Sequence, residues 1–152
     1  MKEIYLDHAA TTYLDDRVLV AMQPYFAGVF ANPSSFHTPG MRAKEAVANA
    51  RESIATILNA HEDEIIFTSG GTESNNLAIS GVIEGRHSEG VPYENIHVIT
   101  SPLEHSSVLE CLRMYEKRGV KISFAEINGD GTVSVESIAK KITSETVLVS
   151  IM

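Results

Sequence analysis

Short apolar runs alternate along the chain with longer stretches in which apolar residues recur at helical spacing. This alternation predicts parallel βα units. Four runs read as strands: Glu64 to Thr68, His97 to Thr100, Lys121 to Ile127, and Thr146 to Met152. The last is continuously apolar over Val147-Leu148-Val149, as a buried parallel strand would be. Between and before them lie the helical periods. Arg17 to Gly28 places Val18, Met22 and Phe26 on one face, and Pro24 inside it predicts a kink or an early end. Arg42 to Asn59 carries Ala43, Ala46, Val47, Ala50, Ile54, Ile57 and Leu58 as one stripe. A further helix is predicted from about Thr72 to Glu84. Another runs from about Ser106 to Lys117, with Val108, Leu109, Leu112 and Tyr115 on one side and Gly119 as its stop. Ser134 can cap a last helix to about Ile142, with Val135, Ile138 and Ile142 inward.

The connections are short and turn-rich. Met1 to Thr12 reads as extended, with a turn at Asp15-Asp16, and Asn32-Pro33-Ser34-Ser35 and Asn128-Gly129-Asp130-Gly131 are loops. No internal repeat or low-complexity segment interrupts the pattern. A chain of 152 residues with 43% apolar content is about one domain in length. The exit of a strand in an open α/β sheet is where ligands bind. A chain that stops on such a strand is expected to be a piece of something longer.

Charge narrows the partners. The net charge of −8 is spread along the chain, and no basic stripe is present to neutralise phosphates. A nucleic-acid partner is not expected. No stretch has the length and apolarity of a membrane span or a signal peptide, so a cytoplasmic protein is expected. The single cysteine, Cys111, excludes an internal disulfide framework and sits among apolar helix positions, which reads as a core residue. His8, His37, His61, His87 and His97 are scattered without metal-ligand spacing, so no metal is assigned.

Two places carry chemistry. In Thr68-Ser69-Gly70-Gly71-Thr72-Glu73-Ser74-Asn75-Asn76 a strand ends, two glycines follow and a helix opens. Glycines let the backbone approach an anion, and the first helical amides point at it with the helix dipole behind them. Thr72 adds a hydroxyl. The same spacing also describes a plain βα turn capped by Thr72. His105 lies just past the second strand and before a helix, on the same sheet edge as the glycine turn if the strands are parallel. An imidazole there can stack on a flat ligand and exchange protons near neutral pH, or simply cap a helix.

Several motifs in order resemble one family. Leu6-Asp7-His8-Ala9-Ala10-Thr11-Thr12 is similar to the opening of the cysteine desulfurases of the NifS/IscS class. So are Asn32-Pro33-Ser34-Ser35 with His37 and Gly40, Phe67 to Asn76, Glu104-His105, and Val147 to Met152. The resemblance covers essentially the whole chain. It implies an α/β fold, part of the aspartate-aminotransferase-like (fold type I) large domain, with a mostly parallel sheet and helices on both faces. Residues 1–15 would join a small domain and residues 16–152 would begin the cofactor domain. It implies pyridoxal 5'-phosphate (PLP) as cofactor. Gly71 and Thr72 would bind its phosphate, and His105 would stack on its ring and serve as an acid/base group. The activity implied is release of sulfur from L-cysteine, leaving L-alanine, with delivery to iron–sulfur cluster or tRNA-thiolation partners by a homodimeric enzyme.

The resemblance also implies what these residues do not hold. The lysine that anchors the cofactor, the aspartate that pairs with its ring nitrogen and the cysteine that carries the sulfur lie past residue 152 in the family. None of Lys2, Lys44, Lys117, Lys121, Lys140 or Lys141 has the right context, and Cys111 does not match the sulfur carrier. The 152 residues by themselves are expected to be inactive and to expose apolar faces and strand edges. In the family's fold, residues 65–68 would be a sheet-edge strand apart from the other three. Two further readings stay open: a selenocysteine lyase or another class V aminotransferase, or a non-catalytic split or decayed assembly module.

Overall fold

A computed structural model describes residues 4–152. The expected extension over Met1-Lys2-Glu3 lies outside the described residues. The chain divides into two compact units, Met1–Ile66 and Phe67–Met152.

In the first unit, residues 4–14 form no strand. The amides of Ala10 and Thr11 turn back onto the Asp7 carbonyl at 3.1 and 3.4 Å, and this bend replaces the expected extended start. Asp15 caps helix α1 (Asp16–Met22) by accepting from the Arg17 amide. Pro24 then opens a separate short helix, α2 (Pro24–Ala27). The break falls where proline cannot donate to the preceding turn. Helix α3 (Thr38–Leu58) starts four residues earlier than the apolar stripe indicates, because His37 caps it: its Nδ1 accepts from the Gly40 amide at 3.2 Å. A Cβ on Gly40 would stand 2.6 Å from the Ser35 carbonyl oxygen and 2.9 Å from that of Asn32. Only glycine lets the helix start and the Asn32–Ser35 loop approach so closely. The stripe of α3 is only partly covered within this unit: Ala43 is buried, whereas Ile57 and Leu58 are exposed, and Ala55, outside the stripe, is buried too.

Residues 65–68 do not form the expected strand. Ile65 has extended geometry (φ −94°, ψ 119°), but the sheet of the described residues is β2-β1-β3 and does not include this segment, and the Ile65 amide donates to the Glu62 carbonyl at 3.2 Å. The Ile65 carbonyl accepts instead from the Arg51 guanidinium.

The second unit is a βα arrangement around one core. Helix α4 (Gly71–Ser88) leads to strand β1 (His97–Thr100), helix α5 (Ser106–Glu116), strand β2 (Lys121–Phe124), helix α6 (Val135–Lys141) and strand β3 (Thr146–Ser150). The sheet is parallel with order β2-β1-β3. Val98 of β1 lies in register with Ile122 on one side and Leu148 on the other. With Ile79 and Ile83 of α4 and Val108, Cys111, Leu112 and Tyr115 of α5, Val98 belongs to the core cluster against which Ile122 and Leu148 pack. Ile83, Ile96 and Val98 are wholly buried, and each such side chain contributes about 1.5–3 kcal/mol of transfer free energy.

Three expectations fail in this unit. The last strand, read as buried, lies at the edge of the sheet with Val147 and Leu148 half-buried and Val149 exposed. The strand from Lys121 stops at Phe124; the chain then turns at Asn128–Gly131, and Ile127 pairs antiparallel with Val133. Gly131 takes φ +86°, the left-handed conformation the turn requires. In α6, Val135 and Ile142 face solvent. The inward positions are Ser134 and Ser137, because Ser134 caps the helix and Ser137 Oγ accepts from the Glu126 amide at 3.0 Å. Of the predicted apolar face, only Ile138 stays half-buried.

Candidate active site

The order β2-β1-β3 carries the chain from β1 to one side and then, through α6, to the other. The carboxyl ends of β1 and β3 therefore flank the place where strand order reverses. In open α/β sheets ligands bind in the crevice outside that point. Two features of the sequence converge on this edge.

The first is the loop after β1, which carries Glu104 and His105. His105 is exposed and is the N-cap of α5, its Nδ1 accepting from the Ser107 amide at 3.1 Å. Ser107 Oγ lies 2.8 Å from the same nitrogen. Glu104 is buried, and its Oε1 accepts from the Met152 amide at 2.6 Å, just past β3. The two strand exits are thus held together by one carboxylate.

The second is the start of α4. Thr68 and Ser74 hydroxyls meet at 2.7 Å, and both turn toward the Gly70 carbonyl. Glu73 folds back so that its carboxylate accepts from the Ser69 amide and hydroxyl, both at 2.6 Å. Those bonds hold its carboxyl below the usual range and keep its charge on Ser69. Gly70 is extended, with φ 162°, so its backbone does not demand glycine. A Cβ at Gly70 or Gly71 would meet no protein atom within 4 Å. The missing side chains leave open space over the first turn of α4, where the leading helical amides have no acceptor of their own. Thr72 sits in that turn and is exposed. Neither the backbone nor the packing requires the two glycines, and the space they leave is one that an anion could approach.

The two helix starts are stitched together. Asn75 Nδ2 donates to Ser107 Oγ at 2.8 Å. Asn76 Nδ2 donates to the Thr72 carbonyl at 2.8 Å and to the Ser107 carbonyl at 3.3 Å. Thr72, Asn76, Ser106, Ser107, Glu110 and Cys111 line an open cleft of about 360 Å³ between them. Of the three residues singled out in the sequence, Thr72 and His105 are therefore linked through Asn75, Asn76 and Ser107, and Gly71 adjoins Thr72 at the start of α4. Sequence reasoning passed over Ser107 entirely. Its only signal is its place two residues after a histidine that opens a helix. Among the described residues no cluster of histidine, cysteine or carboxylate side chains suits a metal ion. No helix among them is long and apolar enough to cross a membrane.

An open parallel sheet with two helix starts at its switch point defines an α/β domain of the open-sheet class. The chain belongs to the aminotransferase class-V family, whose model matches residues 4–152. It is 46% identical over 151 residues to a mitosomal cysteine desulfurase of Trachipleistophora hominis, covering 99% of this chain and 34% of the relative. It is 44% identical over 151 residues to the cysteine desulfurase IscS of Dictyoglomus turgidum, covering 99% of this chain and 37% of that protein. The chain thus spans a little over a third of the length of these curated relatives. Among solved structures, a NifS-like protein superposes with a TM-score of 0.85 at 36% identity, over 94% of this chain and 38% of the other. A protein described as SspA in complex with cysteine gives a TM-score of 0.85 at 37% identity, over 97% and 41%. The α/β fold expected from the sequence is the one these structures share.

Proposed function

We propose that this chain forms one wall of a PLP-dependent cysteine desulfurase site. The observation that carries the reading is the joining of the α4 and α5 starts, through Asn75, Asn76 and Ser107, at the carboxyl edge of the sheet. Family membership and the cysteine bound by a structural neighbour support the choice of cofactor and substrate.

On this reading the leading amides of α4, with Gly71 and the Thr72 hydroxyl, would hold the phosphate of the cofactor, and the exposed ring of His105 would stack on it. When bound, PLP supplies the electron sink for bond-breaking at the amino acid. The protein's part is placement. Gly70 and Gly71 leave the approach open, and Glu73 keeps its own charge on Ser69. His105, turned by Ser107, presents its Nε2 edge as a proton donor or acceptor. The sulfur of L-cysteine leaves for an acceptor thiol, and L-alanine remains. The lysine that anchors the cofactor and the thiol that receives the sulfur come from sequence other than these 152 residues. A second copy and a sulfur-accepting partner complete the working enzyme.

The test is a comparison of the 152-residue chain with the same chain joined to the segment that completes it. Added PLP should give a protein-bound absorbance band near the visible edge only in the completed protein. L-cysteine should then yield alanine and protein-bound sulfur in equal amounts. A completed protein that binds no PLP, or that binds it equally well after Thr72→Val with Gly71→Ala, overturns the reading.

A further inference from the structure

Within the site just proposed, and resting on that reading, we infer that Ser107 and Asn75 are positioning residues for His105: they fix its tautomer and tie its ring to the phosphate-holding turn of α4.

The direction of each bond follows from the groups involved. An amide N–H can only donate, so the Ser107 amide, 3.1 Å from His105 Nδ1, makes that nitrogen an acceptor. The neutral ring therefore carries its proton on Nε2. Asn75 Nδ2 is likewise only a donor, and it reaches Ser107 Oγ at 2.8 Å. With Nδ1 held as an acceptor by the amide, the Ser107 hydroxyl, 2.8 Å away, can meet that nitrogen only as a donor. The result is a chain from Asn75 to Ser107 to His105, its direction set by the two N–H donors at Asn75 Nδ2 and the Ser107 amide.

The chain does two things a simple helix cap does not. A cap needs only the amide-to-Nδ1 bond. The hydroxyl adds a second donor to the same ring nitrogen, which raises the cost of placing the proton there. Asn75 sits in the helix that opens at Gly71, so the ring is referenced to the anion-holding turn rather than to α5 alone. Asn76 repeats the tie through the Ser107 carbonyl at 3.3 Å. With Nδ1 turned inward, the Nε2–H edge on the other side of the ring is the one offered to a ligand. Which nitrogen bears the proton is set by the partner of the other, as in other sites where histidine works.

The experiment reads the ring directly and needs no cofactor. The full chain is labelled with ¹⁵N at histidine, and the His105 tautomer ratio is measured by NMR at a pH where the ring is neutral. Wild type should show the Nε2–H form in large excess. Ser107→Ala should lower that excess by about fivefold, the worth of one hydrogen bond of roughly 1 kcal/mol. Ser107→Thr, which keeps the hydroxyl, should restore it. Asn75→Ala should lower it in the same direction, and supplies the measurement should Ser107→Ala not fold. An Nδ1–H ring in wild type overturns the inference, and so does a ratio that neither alanine substitution changes. Addition of PLP to the completed protein is the separate arm. If the cofactor does not bind while the tautomer responds as stated, the functional reading fails and the positioning role stands. If it binds and the ratio ignores Ser107 and Asn75, the reverse holds.

Discussion

The buried carboxylate of Glu104 accepts the backbone N–H of Met152 at 2.6 Å and so bridges the exits of β1 and β3. A charged acceptor on a backbone amide is worth about 1.5–3 kcal/mol, less where water reaches the donor. Glu104→Ala should therefore cost on the order of 1 kcal/mol in stability. Glu104→Gln, which keeps a neutral oxygen in place, should cost about half as much. The sharper readout is amide exchange at Met152, which should quicken several-fold in the alanine variant and little in the glutamine one. Equal exchange in both variants and wild type would show that the bridge does not hold the strand exit.

His97 gives the fold a dependence on pH. It is buried at the opposite edge of the sheet, with Nδ1 2.8 Å from Thr146 Oγ1 and Nε2 2.9 Å from Ser123 Oγ. Burial holds its pKa below the ordinary imidazole value, and the Lys121 ammonium adds to this while Glu145 opposes it. A depressed value means the unfolded chain takes up the proton first. Stability is thus full above about pH 6.5, falls as pH drops below it, and levels once the folded ring is also protonated. The urea midpoint should decline between pH 7.5 and 5.5 in wild type and hold nearly level in His97→Gln. Loss of the carboxylate bonds of Glu73 and Glu84, whose values are lowered, belongs to a more acidic window. A midpoint as flat in wild type as in the variant would remove His97 as the cause.

What was legible in the sequence is what short-range pattern controls. β1 and α5 fall where the apolar runs put them, and Pro24 divides a helical period at the residue expected. The Gly70-Gly71 turn and His105 were visible as residue types at the ends of elements. What the pattern does not hold is pairing at a distance. Residues 65–68 have a strand's composition but lie outside the β2-β1-β3 sheet. The face of α6 was set by two serines bonding to backbone rather than by its apolar residues. Asn75 and Ser107 stand 32 positions apart, and nothing local marks either as the other's partner.

The contrast between α4 and α6 makes a stability test. Ile83 is wholly buried in the core cluster. Ile83→Ala removes three buried carbons and leaves a cavity, for a loss of about 2–5 kcal/mol. Val135 was expected inward from the sequence but is 73% exposed, and Val135→Ala should change stability by less than about 0.5 kcal/mol. Denaturant unfolding of the two variants beside wild type measures both. A large effect at Val135 would mean that α6 packs by the face the sequence indicated.

The glycine turn separates folding from binding most cleanly. Gly71 is the first residue of α4, and a Cβ there meets no protein atom within 4 Å. Alanine is the better helix former by about 0.5–1 kcal/mol in a helix interior, and by less at a first position. Gly71→Ala should therefore leave the melting temperature unchanged or slightly higher. The same methyl group points into the space left open over the first turn, where an anion would come closest to the backbone. In the protein completed for cofactor binding, the variant should hold PLP at least tenfold more weakly, a difference of about 1.4 kcal/mol. Stability and affinity that fell together would assign the glycine to the fold. Affinity lost while stability is kept assigns it to the ligand.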